Sequence, residues 1–118
     1  MTQLKIAILV LNNIEHDLAR TYRALKTASE FVNAGDDVTI VFDGSGVDSL
    51  AAVSADDSKL KPLIESLRPH VRGACSFCAK AHGVVDPITA AGWPLLTDNE
   101  GEASVRQLAL EGRQIITF

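Results

Sequence analysis

LKIAILVL, residues 4–11, is a continuous apolar run rich in branched side chains. A strand with one wet face would alternate polar and apolar residues. An unbroken run of this length is the pattern of a strand covered on both faces, as in the middle of a parallel sheet. Asn12 and Asn13 break the run. From about Glu15 to Asn33, Leu18, Tyr22, Leu25 and Val32 recur at helical spacing, which predicts an amphipathic helix. Ala34, Gly35 and Asp36 end it, and Val38–Phe42 follows as a second strand.

Asp43–Val47 reads as a loop with two glycines, then Leu50–Val53 as a short helix and Leu60–Leu67 as a longer one, with Pro62 in its first turn. His70–Ala74 is a third apolar strand, bounded by Pro69 and Gly73, and it leads directly into Cys75. Ser76–His82 is helical and Gly83 ends it. Val84–Ala91 is ambiguous, Trp93–Leu96 forms a short fourth strand, Gly101–Leu110 a helix with Val105, Leu108 and Ala109 on one face, and Gln114–Phe118 a fifth strand. Strands alternating with helices need crossover connections, which favour parallel pairing. The expectation is an α/β single domain over residues 1–118, a three-layer α/β/α sandwich on a mainly parallel five-stranded sheet.

Composition narrows the function. At 118 residues and 47% apolar content the chain has room for one core and no second domain. Eleven basic against 15 acidic residues give a net charge of −4, with no cluster of Lys or Arg, which argues against nucleic acid as a partner. Ile6–Leu11 is far short of the ~20 apolar residues that span a bilayer, so no membrane helix is expected. Met1–Asn13 lacks the layout of a secretory signal, which places the expectation in the cytoplasm. In a reducing compartment, two cysteines three positions apart are more naturally catalytic, redox-active or metal-binding than a structural staple.

In a parallel sheet, ligands bind beyond the carboxyl ends of the strands. Asn12 and Asn13, then Asp43, Gly44, Ser45 and Gly46, then Cys75 to Cys78, and Thr97 to Asn99 should therefore share one rim, with His82 nearby. With Cys75 as N-cap of the helix after the third strand, Cys78 falls at its third position and the two sulfurs become neighbours. A thiolate at such a cap gains hydrogen bonds and the helix dipole, and only the thiolate attacks sulfur or binds metal. Lys80 and His82 could add positive potential. Against this stands the plain reading of Cys78 as a small apolar core residue.

No metal is expected. If His70–Cys75 is a strand, its ends stand ~16 Å apart, and the outer pair of Cys75, Cys78 and His82 is separated by ~10 Å of helical rise. One tetrahedral ion with ~2.3 Å sulfur bonds cannot gather either set, which leaves only a two-cysteine site shared between subunits. His16 caps or decorates the first helix. The Asp43–Gly46 glycines match neither a dinucleotide fingerprint nor a phosphate loop, and a plain turn is the simpler reading.

Three segments carry a resemblance to the DsrE/DsrF-like family, including its YchN-like members: Lys5–Leu11, ALKTASEFVNAGDDVTIVFDGSGV at 24–47, and ACSFCAKAHGV at 74–84. In the sulfur-relay members a cysteine stands eight residues before the glycine closing its helix, as Cys75 stands before Gly83. The resemblance implies a Rossmann-like domain that assembles into trimers or hexamers and passes sulfur between donor and acceptor proteins. Cys75 would be the sulfur carrier, and no cofactor would be needed. Cys78 departs from the simple relay pattern, because it could attack a Cys75 persulfide, release sulfide and leave a disulfide. A dithiol oxidoreductase, with Cys75 attacking and Cys78 resolving, is the second reading. A non-catalytic module that binds a small anion at the rim, or serves assembly, is the third. An apolar fraction of 47% in so small a domain is a further motive for a homo-oligomer.

Overall fold

In the computed structural model, which describes residues 2–118, the opening apolar run becomes strand β1, Lys5–Val10. Every side chain after Lys5 is buried in it, because the sheet is covered on both sides. Helix α1 (Leu18–Asn33) leads to β2 (Asp37–Phe42), then α2 (Gly46–Val53) and α3 (Lys61–Ser66) lead to β3 (Val71–Cys75). Helices α4 (Ser76–Ala81) and α5 (Val85–Ala90) precede the two-residue β4 (Leu95–Leu96), and α6 (Val105–Leu110) precedes β5 (Gln114–Thr117). The sheet order is β4-β3-β2-β1-β5 and every pairing is parallel. The expected α/β sandwich on a five-stranded parallel sheet is the observed fold.

The two faces are unequal. Ile6, Ile8 and Val10 of β1, with Val38, Ile40 and Phe42 of β2, point into the larger core, roofed by α1 to α5 and closed by Ile88 and Trp93. The alternate residues Ala7, Leu9 and Val41 point to the other side, where Cys75, Ala103 and Leu108 of α6 complete a much thinner layer. Strand alternation assigns these faces, since successive side chains point opposite ways. Beyond that patch the thin face is polar: Arg72 reaches Thr39 Oγ1 at 3.1 Å and grips both carboxylate oxygens of Glu111 at 2.7 and 3.0 Å.

Several boundaries differ from the sequence-based expectation. Helix α1 begins at Leu18, not Glu15. Residues 13–17 form a turn in which Asn13 C=O accepts the His16 and Asp17 N–H groups, and Asp17 then caps the helix by accepting from Arg20 N–H at 3.0 Å. Its buried side is Thr21, Ala24, Leu25 and Ala28, while Leu18 and Tyr22 are exposed. Small side chains let the helix lie close to β1 and β2. Helix α2 starts at Gly46, inside the presumed loop, because its first turn sits against the end of β1: a Cβ on Gly46 would lie 1.9 Å from the Val10 carbonyl oxygen. His70 is not in the third strand. It ends a 3₁₀ turn, Arg68–His70, at the opposite end of β3 from the cysteines. The ambiguous stretch is helix α5. Helix α6 starts late because Glu100 and Gly101 take positive φ values of 52° and 91°, which no helix accommodates. Among the described residues no helix is long and apolar enough to cross a membrane.

Candidate functional site

Strand β3 ends at Cys75, which is the N-cap of α4 as the spacing predicts. Its sulfur does not cap the helix. The α4 amide that it would have met, Phe77 N–H, donates instead to the Gly101 carbonyl at 3.2 Å. Cys75 turns into the thin face among Ala7, Leu9, Val41 and Leu108, and only 1% of it is exposed. One backbone donor reaches it there: Ala103 N–H, 3.4 Å from Sγ. Residues 97–104, pinned by Ser104 N–H on Asp98 Oδ1 at 3.3 Å and the Asn99–Glu102 bridge, therefore lie across the sulfur. Cys75 stands at the expected rim, but the expected capping bonds from α4 to its sulfur are absent and this segment covers it.

Cys78 stands one helical turn on, half-buried. Its thiol donates to Asp43 Oδ1 at 3.4 Å. Asp43 is held at the end of β2 by its own N–H on Val10 C=O at 3.0 Å, and Oδ1 also accepts Gly44 N–H at 2.8 Å. Burial pushes the Cys78 thiol up to about 12, the hydrogen bonds to Cys75 and Asp43 add to the rise, and the Gly44 amide opposes it. Cys78 therefore keeps its proton at neutral pH. The two sulfurs and an Asp43 carboxylate oxygen all lie within 4.8 Å of one another.

The remaining rim residues do structural work nearby. Asn12 donates its amide to Asp17 C=O and Thr21 Oγ1, both at 3.0 Å, and ties the end of β1 to α1. Asn13 accepts Glu15 N–H at 2.9 Å and donates to Asp48 Oδ2 at 3.4 Å. The second oxygen-to-nitrogen contact on that carboxylate is His82 Nδ1, at 2.6 Å, so His82 faces α2 rather than the sulfurs. Lys80 is exposed. Ser45 precedes α2 without a side-chain capping bond and lines, with Asn12, His16 and Arg20, an open groove of about 500 Å³ that contains neither cysteine. Cys75, Cys78 and Asp43 are thus brought together with the Gly44 amide beside them, whereas Asn12, Asn13, Ser45 and His82 are engaged elsewhere.

The Asp43 contact was not legible at metal- or redox-motif spacing, because 35 residues separate it from Cys78. The sequence signal available was positional: both residues follow strand ends, and β2 and β3 are neighbours in the sheet. Ser49, which accepts Ile14 N–H at 2.8 Å and donates to Asn12 C=O at 2.7 Å, is not among the residues that the sequence pointed to. A buried serine within an apolar helix face is its only sequence mark.

No family model matches the chain, and no curated protein matches it. Among solved structures it is similar to a conserved protein of unknown function, BT1422, from Bacteroides thetaiotaomicron. That similarity has a TM-score of 0.67 at 19% identity and covers 95% of this chain and 94% of the other. At that identity the likeness is one of fold.

Proposed function

We propose that this chain handles sulfane sulfur by thiol exchange at Cys75, with Cys78 as the resolving thiol and Asp43 as the acceptor of the Cys78 proton. The single observation that carries the reading is the triad of Cys75, Cys78 and Asp43 within 4.8 Å, with the Cys78 S–H directed at Asp43. The resemblance to sulfur-relay proteins at residues 74–84 supports the choice of substrate.

The Cys75 thiolate attacks the outer sulfur of a donor persulfide. A Cys75 sulfur–sulfur bond forms, the donor's own bond breaks, and the donor leaves as a thiolate. An acceptor thiolate that then attacks the outer sulfur completes a relay and returns Cys75 unchanged. Without an acceptor, Cys78 passes its proton to Asp43 and attacks the Cys75 sulfur, expelling hydrosulfide and leaving a Cys75–Cys78 disulfide. One sulfane sulfur is reduced while two thiols are oxidised, and a partner dithiol must reopen the disulfide. Because Cys75 is only 1% exposed, the first step requires residues 97–104 to lift, breaking the Ala103 and Gly101 hydrogen bonds.

Intact-mass measurement after incubation with a persulfide donor tests the reading. Wild type should release sulfide and become a disulfide, Cys78→Ser should retain one added sulfur, and Cys75→Ser none. No added sulfur on Cys78→Ser would overturn it. The adjacent sulfurs also favour a dithiol oxidoreductase acting on a partner's disulfide. That reading gains if oxidised glutathione turns over and the persulfide donor does not.

A further inference from the structure

Asp43, Cys75 and Cys78 have a second chemistry open to them. A cation bonded to two sulfurs at ~2.3 Å and a carboxylate oxygen at ~2.0–2.2 Å holds those atoms about 3.5–4 Å apart. The three ligand atoms here lie within 4.8 Å of one another, and the Cys78–Asp43 edge, at 3.4 Å, is already of that size. The other two edges need to shorten by no more than about 1 Å to reach that spacing.

The surroundings suit an ion. Each donor is fixed by a regular element: Asp43 follows β2, Cys75 ends β3, and Cys78 stands in the first turn of α4. Backbone amides support two of them, Ala103 N–H on the Cys75 sulfur and Gly44 N–H on the Asp43 carboxylate. Such outer hydrogen bonds orient ligands and tune the bound metal. Among the described residues Asp43 has no ion-pair partner, so no resident cation neutralises its carboxylate. Two sulfurs and one oxygen select a thiophilic ion over magnesium or calcium, which take six or more oxygens.

We propose that Asp43, Cys75 and Cys78 bind one divalent cation of the zinc class per chain, releasing the thiol protons to solvent. Three protein ligands leave one tetrahedral position for water or an incoming sulfur ligand. Insofar as it rests on the sulfur-exchange reading, the consequence is competition: an occupied site withdraws both sulfurs from exchange.

The test is cobalt binding to the reduced full-length chain under anaerobic conditions. One Co²⁺ per chain should bind with tetrahedral visible bands and sulfur-to-cobalt charge-transfer absorption, and Zn²⁺ should abolish both by displacement. Cys75→Ser and Cys78→Ser should each lose about half the charge-transfer intensity. Asp43→Asn should keep that intensity but bind at least about tenfold more weakly. His82→Gln should bind as wild type does. Absence of charge-transfer absorption in wild type, unchanged absorption in Cys78→Ser, or one cobalt per two chains would overturn the proposal. Sulfur loading of the metal-free protein is read separately by mass, so either proposal can fail while the other stands.

Discussion

The Cys78 thiol donates to Asp43 Oδ1 across 3.4 Å, linking α4 to the end of β2. A carboxylate in that position is the local proton acceptor for a thiol that must ionise to resolve a bond on its neighbour. Asp43→Asn keeps the side-chain oxygen for Gly44 N–H but removes the base. Resolution of a Cys75 persulfide should then slow by roughly 100-fold, the lower end of general-base contributions. Mass spectra taken over time should show the sulfur-loaded form persisting in the variant. Equal decay in wild type and variant would remove Asp43 from the reaction.

Alkylation of the reduced, metal-free chain gives a second check. A thiol pushed up to about 12 has far less thiolate at pH 8 than a free cysteine, so Cys78 should react with iodoacetamide at least about 100-fold more slowly than a model thiol. The rate should climb with pH toward 12. Peptide mapping should find both cysteines labelled rapidly once urea unfolds the chain. Rapid labelling of Cys78 in the native protein at pH 8 would contradict the burial and hydrogen bonds described.

Two glycines separate crowding from backbone freedom. A Cβ on Gly46 would lie 1.9 Å from Val10 carbonyl oxygen, so Gly46→Ala must push α2 away from β1 and should cost about 3 kcal/mol. Gly35, at φ +86°, has no atom within 4 Å of such a Cβ, so Gly35→Ala should cost only the left-handed backbone penalty of about 1 kcal/mol. Urea unfolding midpoints compare the two directly. A similar loss at both positions would mean that α2 does not seat on the Val10 carbonyl as described.

What could be read from the sequence was local. The apolar run of β1, the β2 pattern and the strand-end position of Cys75 each follow from a few consecutive residues, and parallel pairing follows from the helices between strands. The buried side of α1 was misjudged because Leu18 and Tyr22 are the larger apolar groups, whereas close approach to the sheet selects Ala24 and Ala28. The cover over Cys75 depends on Glu100 at positive φ, on the Gly101 carbonyl that accepts Phe77 N–H and on the Ala103 N–H that reaches the sulfur, none of which has a spacing signature. Helix α5 accommodates Pro87 because that residue stands in its first turn, where an N–H would have no intrahelical partner. Asp43 shares the expected rim with the cysteines, but its contact with Cys78 follows only from β2 and β3 being neighbours in the sheet.

Glu111 supplies a prediction away from the cysteines. Arg72 donates to both its carboxylate oxygens, Arg113 Nε adds a third bond at 2.7 Å, and Gln107 donates at 3.1 Å. The paired guanidinium groups hold the carboxyl well below the usual carboxylate range, against the opposing effect of burial. A carboxyl whose folded pKa is depressed contributes stability that is fully present above its unfolded value, near 4.5, and is lost as pH falls toward the folded value. Arg113 also donates to Ile6 and Asp37 carbonyl oxygens, both at 3.2 Å, so protonating Glu111 loosens the same contact that joins α6 to β1 and β2. Between pH 7 and pH 3 the urea midpoint of wild type should therefore fall further than that of Glu111→Gln, whose amide has no charge to lose. At pH 7 the variant should be the less stable of the two, and the gap should narrow with acid. A constant gap across that range would show that the Arg72–Glu111–Arg113 cluster contributes nothing to the acid sensitivity of the fold.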